Sequence, residues 1–258
     1  MFVVETPNQN PKDLEVILLK YSRFFDEIRK RILVTVSIFI LGTIFGFIYV
    51  EQILKFLINI FSLNGINIVF TSPFQFINLS ITSGFTTGII LAFPVIVWQF
   101  ISFLKPALKR KEYKILVGFL PGSILLFIIG FGFGMLIMKW QVDIFLSQTM
   151  SLGIGNMLDI SRLLSVSIIT SALMGVAFET PILLLVLLKI GIIKHPRLSK
   201  ARPWVYLGSF IFAVLLPPDS ILADILLTLP LVLLFEVTLL IDKISTRKKD
   251  RTVVAEGV

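Results

Sequence analysis

Between Lys55 and Lys105 the chain reads FLINIFSLNGINIVFTSPFQFINLSITSGFTTGIILAFPVIVWQFISFL, residues 56–104, a run of 49 positions without one charge. A helix crosses the hydrocarbon core of a bilayer in ~20 residues. The run therefore holds either one span or two, and that choice fixes the topology of the molecule. Its first half carries Asn59, the turn pair Asn64-Gly65, Asn67 and Ser72-Pro73, which are turn formers and helix breakers. That half reads as an extramembrane segment with short interfacial helices. The second half, about 79–104, reads as one uninterrupted transmembrane helix.

Working outward, residues 32–50 form an uncharged run of 19, and residues 115–138 another of 24. A fourth span is expected over about 163–188, with Glu179 inside it. A fifth, 204–216, is short, and a sixth, about 221–241, contains Asp224, Pro230 and Glu236. The basic residues test this count, because Lys and Arg collect in cytoplasmic loops. Six spans place 21 of the 24 Lys and Arg residues on one side: before span one, between spans two and three, between four and five, and after six. Lys55, Lys139 and Arg162 fall on the other side. A seventh span over 56–70 would scatter the clusters across both faces. The expectation is an all-α integral membrane protein of six helices, with both termini on the basic side and short fifth and sixth spans. At ~1.5 Å per residue, span five covers only about 20 Å of a ~30 Å core, which suggests local thinning of the bilayer.

Composition agrees. Hydrophobic residues are 56% and charged residues 16%, and mean hydropathy is +0.94, against ~25% charged in soluble domains. The formal +8 then records orientation and not nucleic-acid binding. The chain has no cysteine, which excludes disulfides, thiolate metal sites and thiol nucleophiles. One histidine, His195, cannot build a His-rich metal site, and it reads as a solvated loop residue. No cleavable leader is expected at the polar, charged N-terminus. Residues 13–31 repeat apolar positions at helical spacing and read as an interfacial amphipathic helix. The chain divides into this N-terminal segment (1–31), a membrane domain (32–241) and a basic, disordered tail (242–258).

In such a chain the acids are informative. Glu27 stands at the mouth of span one beside Arg29, and Glu112 lies among five basic residues of the loop after span two. The simple reading is charge balance, with Arg23–Glu27 and Glu27–Arg31 as i,i+4 pairs. The sharper reading is a pair of carboxylates that receive a guanidinium in bidentate fashion, which an ammonium cannot copy. Glu179 interrupts an apolar helix, with Thr180 and Pro181 following it. A charge at that depth costs ~2.5–3.5 kcal/mol on insertion scales and faces the protein interior or a water-filled cavity. The alternative is a neutral acid bonded to Ser, Thr, or carbonyls freed by Pro181. Asp219 reads as a helix cap and Glu236 as an interfacial acid. The GFGFG run over 130–134 reads as a close helix-packing surface.

Taken in order, these residues resemble the TatC family, the large subunit of the twin-arginine (Sec-independent) protein translocase, over about residues 22–241. FFDEIRKR (24–31) is similar to its N-terminal signature. Ser72-Pro73, Phe93-Pro94, Gln99, Phe103, Pro106-Ala107-Leu108 and Glu112 follow, then Phe178-Glu179-Thr180-Pro181, Arg202-Pro203, LLPPD (215–219, with Pro217, Pro218 and Asp219), Pro230 and Phe235-Glu236. Three positions depart from the pattern: Phe24 stands for the usual His, Leu216 for a frequent Thr, and Gln75 for a frequent acid.

The resemblance implies a receptor and translocation core for folded proteins that carry twin-arginine signal peptides, driven by the proton gradient and without enzymatic activity or cofactor. Glu27 and Glu112, with Arg29, would receive the signal arginines. Glu179, with Thr180 and Pro181, would contact a small single-span subunit of the TatA/TatB type in an oligomeric complex. The competing class is a proton-coupled secondary transporter using Glu179, although no internal repeat or paired broken helices support it. An intramembrane enzyme lacks a nucleophile motif. With 24 Phe and few Ala in an Ile- and Lys-rich chain, the composition suggests an AT-rich genome and a plastid thylakoid membrane, with a bacterial inner membrane as the alternative.

Overall fold

The structure is a computed structural model and describes residues 11–61, 67–69, 72–105, 110–151, 157–193, 195–217 and 220–256. Helix α1 (Pro11–Ile48) joins the expected interfacial helix and span one into one continuous rod, and α2 (Val50–Ile60) follows it. Strand β1 (Asn67–Val69) precedes α3 (Pro73–Leu104), and α4 (Arg110–Ser151) leads to β2 (Met157–Asp159). The chain continues through α5 (Ile160–Ala177), α6 (Thr180–Ile190), α7 (His195–Lys200), α8 (Arg202–Val214) and α9 (Ile221–Glu256). Five stretches are long and apolar enough to cross a membrane: Asp26–Ile48, Pro73–Phe103, Leu116–Thr149, Ile160–Ile190 and Ile221–Ile244. Of these, 160–190 is the most buried inside the protein and 26–48 the least.

The helices form where the sequence permits. Ser72 caps α3, its hydroxyl accepting from Phe74 N at 3.3 Å, with Pro73 in the first turn. Proline suits that position because its missing N–H would be unpaired there anyway. Gly191 ends α6 in the left-handed region, φ +80°, which a side chain rarely adopts. The long helices pack through glycines. A Cβ at Gly88 of α3 would lie 2.8 Å from Phe39 O of α1, and one at Gly134 of α4 would lie 2.7 Å from the Ser171 backbone of α5. Gly130 meets Phe178 and Met174 in the same way, whereas Gly132 faces open space. The GFGFG run is thus a packing surface at its first and last glycines.

The structure refines the sequence reading in several places. Among the described residues of 51–78, the amphipathic helix α2 and Phe61 just after it bury Leu54, Leu57 and Phe61 against Met138, Val142 and Leu146 of α4 and Ile160 and Leu164 of α5. Its outer face carries the Glu51–Lys55 pair at 2.7 Å, and Lys55 holds the Glu51 carboxyl below its ordinary range. β1 then pairs in parallel with β2, Asn67 opposite Met157 through Val69 opposite Asp159. Three-residue strands are too short for any alternation to announce them. The fourth span is two helices, broken at Phe178–Glu179, because Pro181 has no N–H to return to Ala177 O; the Thr180 hydroxyl donates to that carbonyl instead, at 2.7 Å.

Further differences lie in the C-terminal region. The sixth span is not short: its apolar stretch runs 24 residues, and Pro230 sits inside α9 without ending it. The helix then continues to Glu256, where a disordered tail from 242 is expected. Asp242 is buried, so the first residue of that segment is part of the folded body. α8, at 13 residues, is as short as expected.

Candidate functional site

At the mouth of the first span, Glu27 lies on an exposed face of α1, and its Oε1 accepts from Arg31 Nη2 at 2.6 Å. The Arg31 side chain is 23% exposed and that of Glu27 58%. Arg31 also reaches α3: Nη1 donates to Gln99 O at 3.0 Å, and Nη2 stands 3.5 Å from Ser102 Oγ. Thr35 one turn further on donates to Gln99 Oε1 at 2.9 Å. Beside this cluster a groove of about 420 Å³ opens between α1 and α3, with Ile28, Ile32, Phe100 and Phe103 among its walls. Of the two expected pairs, Glu27–Arg31 forms; the Arg23 side chain lies outside the described residues. Arg29 is exposed. Glu112 stands in the first turn of α4, its side chain likewise outside the described set.

In the broken span, Glu179 is 6% exposed. Its Oε2 accepts from Ser123 Oγ of α4 at 2.7 Å, while Oε1 is buried without a partner among the described residues. Pro181 is buried beside it and Thr180 is exposed. The local geometry is therefore the serine-bonded acid that the sequence left as one alternative, and Ser123 is a partner no motif announced.

The remaining sequence candidates are dispersed. Glu236 accepts from Arg202 Nη2 at 3.0 Å and from the Tyr206 hydroxyl, which fastens α9 to α8. His195 is not merely solvated: its Nδ1 lies 2.8 Å from Asp242 Oδ2, tying α7 to α9. Pro94 is inside α3, Gln99 belongs to the Arg31 cluster, and Pro217 follows α8. Pro106, Pro218 and Asp219 lie outside the described residues. Gln75, expected to depart from an acidic position, donates to Asp159 Oδ2 at 2.9 Å, and Ser161 donates to its carbonyl at 2.9 Å. The acid is supplied by β2, and the bond locks the head of α3 to α5. No group of His, Asp and Glu suited to a metal ion occurs among the described residues.

Comparison with known proteins decides the family. The sequence model of the Sec-independent protein translocase protein (TatC) family matches residues 23–230. The chain belongs to the TatC family. It is 29% identical over 236 residues to the TatCy protein of Bacillus subtilis, covering 89% of this chain and 91% of that one. Against the TatC of Aquifex aeolicus it is 32% identical, covering 86% and 94%. Two crystal structures described as the twin-arginine translocase receptor TatC superpose with TM-scores of 0.75 and 0.76 at 26% and 27% identity. They cover 84% and 86% of this chain and 98% and 99% of theirs. The chain is accordingly a membrane protein of the TatC translocase family, and nothing in these likenesses supports the secondary-transporter alternative.

Proposed function

We propose that this chain is the receptor subunit of a twin-arginine translocase and that Glu27 and Glu112 take the two arginines of the signal peptide. One observation carries the reading: an exposed carboxylate at the mouth of span one already holds a guanidinium nitrogen at 2.6 Å. Carboxylate and guanidinium match as planar forks, whereas an ammonium offers only a point charge. Arg29, exposed two residues away, helps to shape the approach. Six spans, with both termini on the basic, cytoplasmic-type side, follow from the 21 clustered cations and from α8 crossing as a short fifth helix. Residues 1–31 lead into the membrane domain, 32–241.

Glu179 and Thr180, at the break beside Pro181, offer polar groups to a single-span TatA/TatB-type subunit, within an oligomeric complex that works on the proton gradient without catalysing a reaction. The thylakoid expected from composition has the bacterial cytoplasmic membrane as its alternative, and the bacterial relatives favour the latter. The test is crosslinking of a twin-arginine signal peptide to the Glu27→Gln/Glu112→Gln double variant in native membranes. Each charge-assisted bond is worth about 1.5–3 kcal/mol, so crosslinking falls by orders of magnitude, and a twin-lysine peptide crosslinks poorly to the parent protein. Unchanged crosslinking to a folded double variant overturns the assignment.

A further inference from the structure

We propose that Arg31 is the resident ligand of Glu27: in the empty receptor it occupies the carboxylate oxygen that a signal arginine takes, and it withdraws onto α3 when that arginine arrives. The inference rests on the receptor reading of Glu27 and adds a specificity-determining residue to it.

Three observations converge. The Arg31–Glu27 contact, guanidinium Nη2 on carboxylate Oε1 at 2.6 Å, is the contact a ligand guanidinium would make. A bidentate fork engages both carboxylate oxygens, so a signal arginine that binds in this way meets the like-charged Arg31 guanidinium at Oε1 and competes with it for that oxygen. Arg31 has an alternative home: Nη1 is already anchored on Gln99 O at 3.0 Å, and Ser102 Oγ waits 3.5 Å from Nη2, a length that closes to an ordinary bond once Glu27 lets go. The exposures fit an exchange of this kind. Glu27 is open to an arriving peptide, while Arg31 is mostly enclosed on the α3 side.

The exchange has a consequence for selectivity. While Arg31 is in place its charge offsets that of Glu27, so a ligand that brings charge alone finds little net field. A ligand that brings a planar fork gains two directional bonds and leaves Arg31 satisfied on α3. Arg31 thereby sets a threshold that geometry crosses and charge does not.

The experiment measures binding of a fluorescent peptide with two adjacent arginines to the full-length protein in lipid nanodiscs. An exposed i,i+4 pair contributes about two- to fivefold to an equilibrium. Arg31→Gln is therefore expected to bind the peptide about two- to fivefold more tightly, and the gain is absent in the Glu27→Gln background. A residue that only stitches α1 to α3 gives the opposite sign, weaker binding on removal. Arg31→Lys, which keeps the charge but cannot hold Glu27 and Gln99 with one planar group, shows a smaller gain and serves if Arg31→Gln does not fold. Weaker or unchanged binding in the folded Arg31 variants overturns the proposal. The two readings separate cleanly: if Glu27→Gln alone binds like the parent, the receptor reading fails; if it loses binding while the Arg31 variants gain nothing, only the exchange fails.

Discussion

Glu27 and Glu179 carry the same functional group in opposite settings. Glu27 is solvated and holds a cation; Glu179 is 6% exposed and holds one hydroxyl, from Ser123. A buried carboxyl whose other oxygen has no partner among the described residues is sensitive to loss of its remaining bond, since stripping a hydrogen bond from a buried polar group costs about 1–3 kcal/mol. Ser123→Ala is expected to lower the thermal unfolding midpoint in detergent, followed by near-UV circular dichroism. In a Glu179→Leu background the same change costs much less, because no carboxylate remains to be satisfied. Equal losses in both backgrounds would show that Ser123 contributes packing alone. Glu179 was legible in the sequence, as an acid in an apolar run. Its partner was not, because one serine among many in a membrane helix carries no signal until α4 is brought against the break between α5 and α6.

At the scale of elements, glycine separates the helices that must approach closely from those that need not. Gly88 and Gly134 stand where a Cβ would collide with backbone of the neighbouring helix, while a Cβ at Gly132 meets nothing within 4 Å. Gly88→Ala and Gly134→Ala are expected to destabilise the protein by about 1–3 kcal/mol, the cost of overpacking. Gly132→Ala is neutral or mildly stabilising, since Gly in a helix is disfavoured by about 0.5–1 kcal/mol relative to Ala. Thermal unfolding of the three variants side by side checks the order, and a loss at Gly132 matching that at Gly134 would contradict it. The long helices themselves were legible, because an uncharged apolar run of 19 residues or more suits crossing a membrane or a large core. The break at Glu179 was half legible: Pro181 was visible, yet the fourth span still read as one helix. The parallel β1–β2 pair and the Arg31–Gln99 bridge were hidden for one reason. Each joins residues far apart in sequence, 90 positions for Asn67 and Met157 and 68 for Arg31 and Gln99, and local patterning says nothing about such distances.

At the scale of the whole molecule the prediction concerns how many times the chain crosses. Five stretches qualify by length; α8, with 13 residues, does not, and the case for a sixth crossing rests on where the cations fall. The two counts differ in a measurable way. With six crossings the N- and C-termini share a side; with five they face opposite compartments. A chain without cysteine suits single-cysteine labelling by a membrane-impermeant maleimide. Asp26→Cys, Lys200→Cys and Lys249→Cys are expected to be shielded together in intact cells, while Gln52→Cys on α2 is labelled from outside. Labelling of Lys249→Cys with Asp26→Cys still shielded would mean that α8 does not cross. The energetics favour crossing despite its length. Arg202 and Tyr206 at the head of α8 are fastened to Glu236 of α9, and Ala213 and Leu216 at its foot are buried with Leu227 of α9. α8 is thus held along its length against a helix long enough to span, and the bilayer must thin to meet the shorter partner, at fractions of a kcal/mol per Å of mismatch. That is a smaller cost than removing a packed helix from its seam.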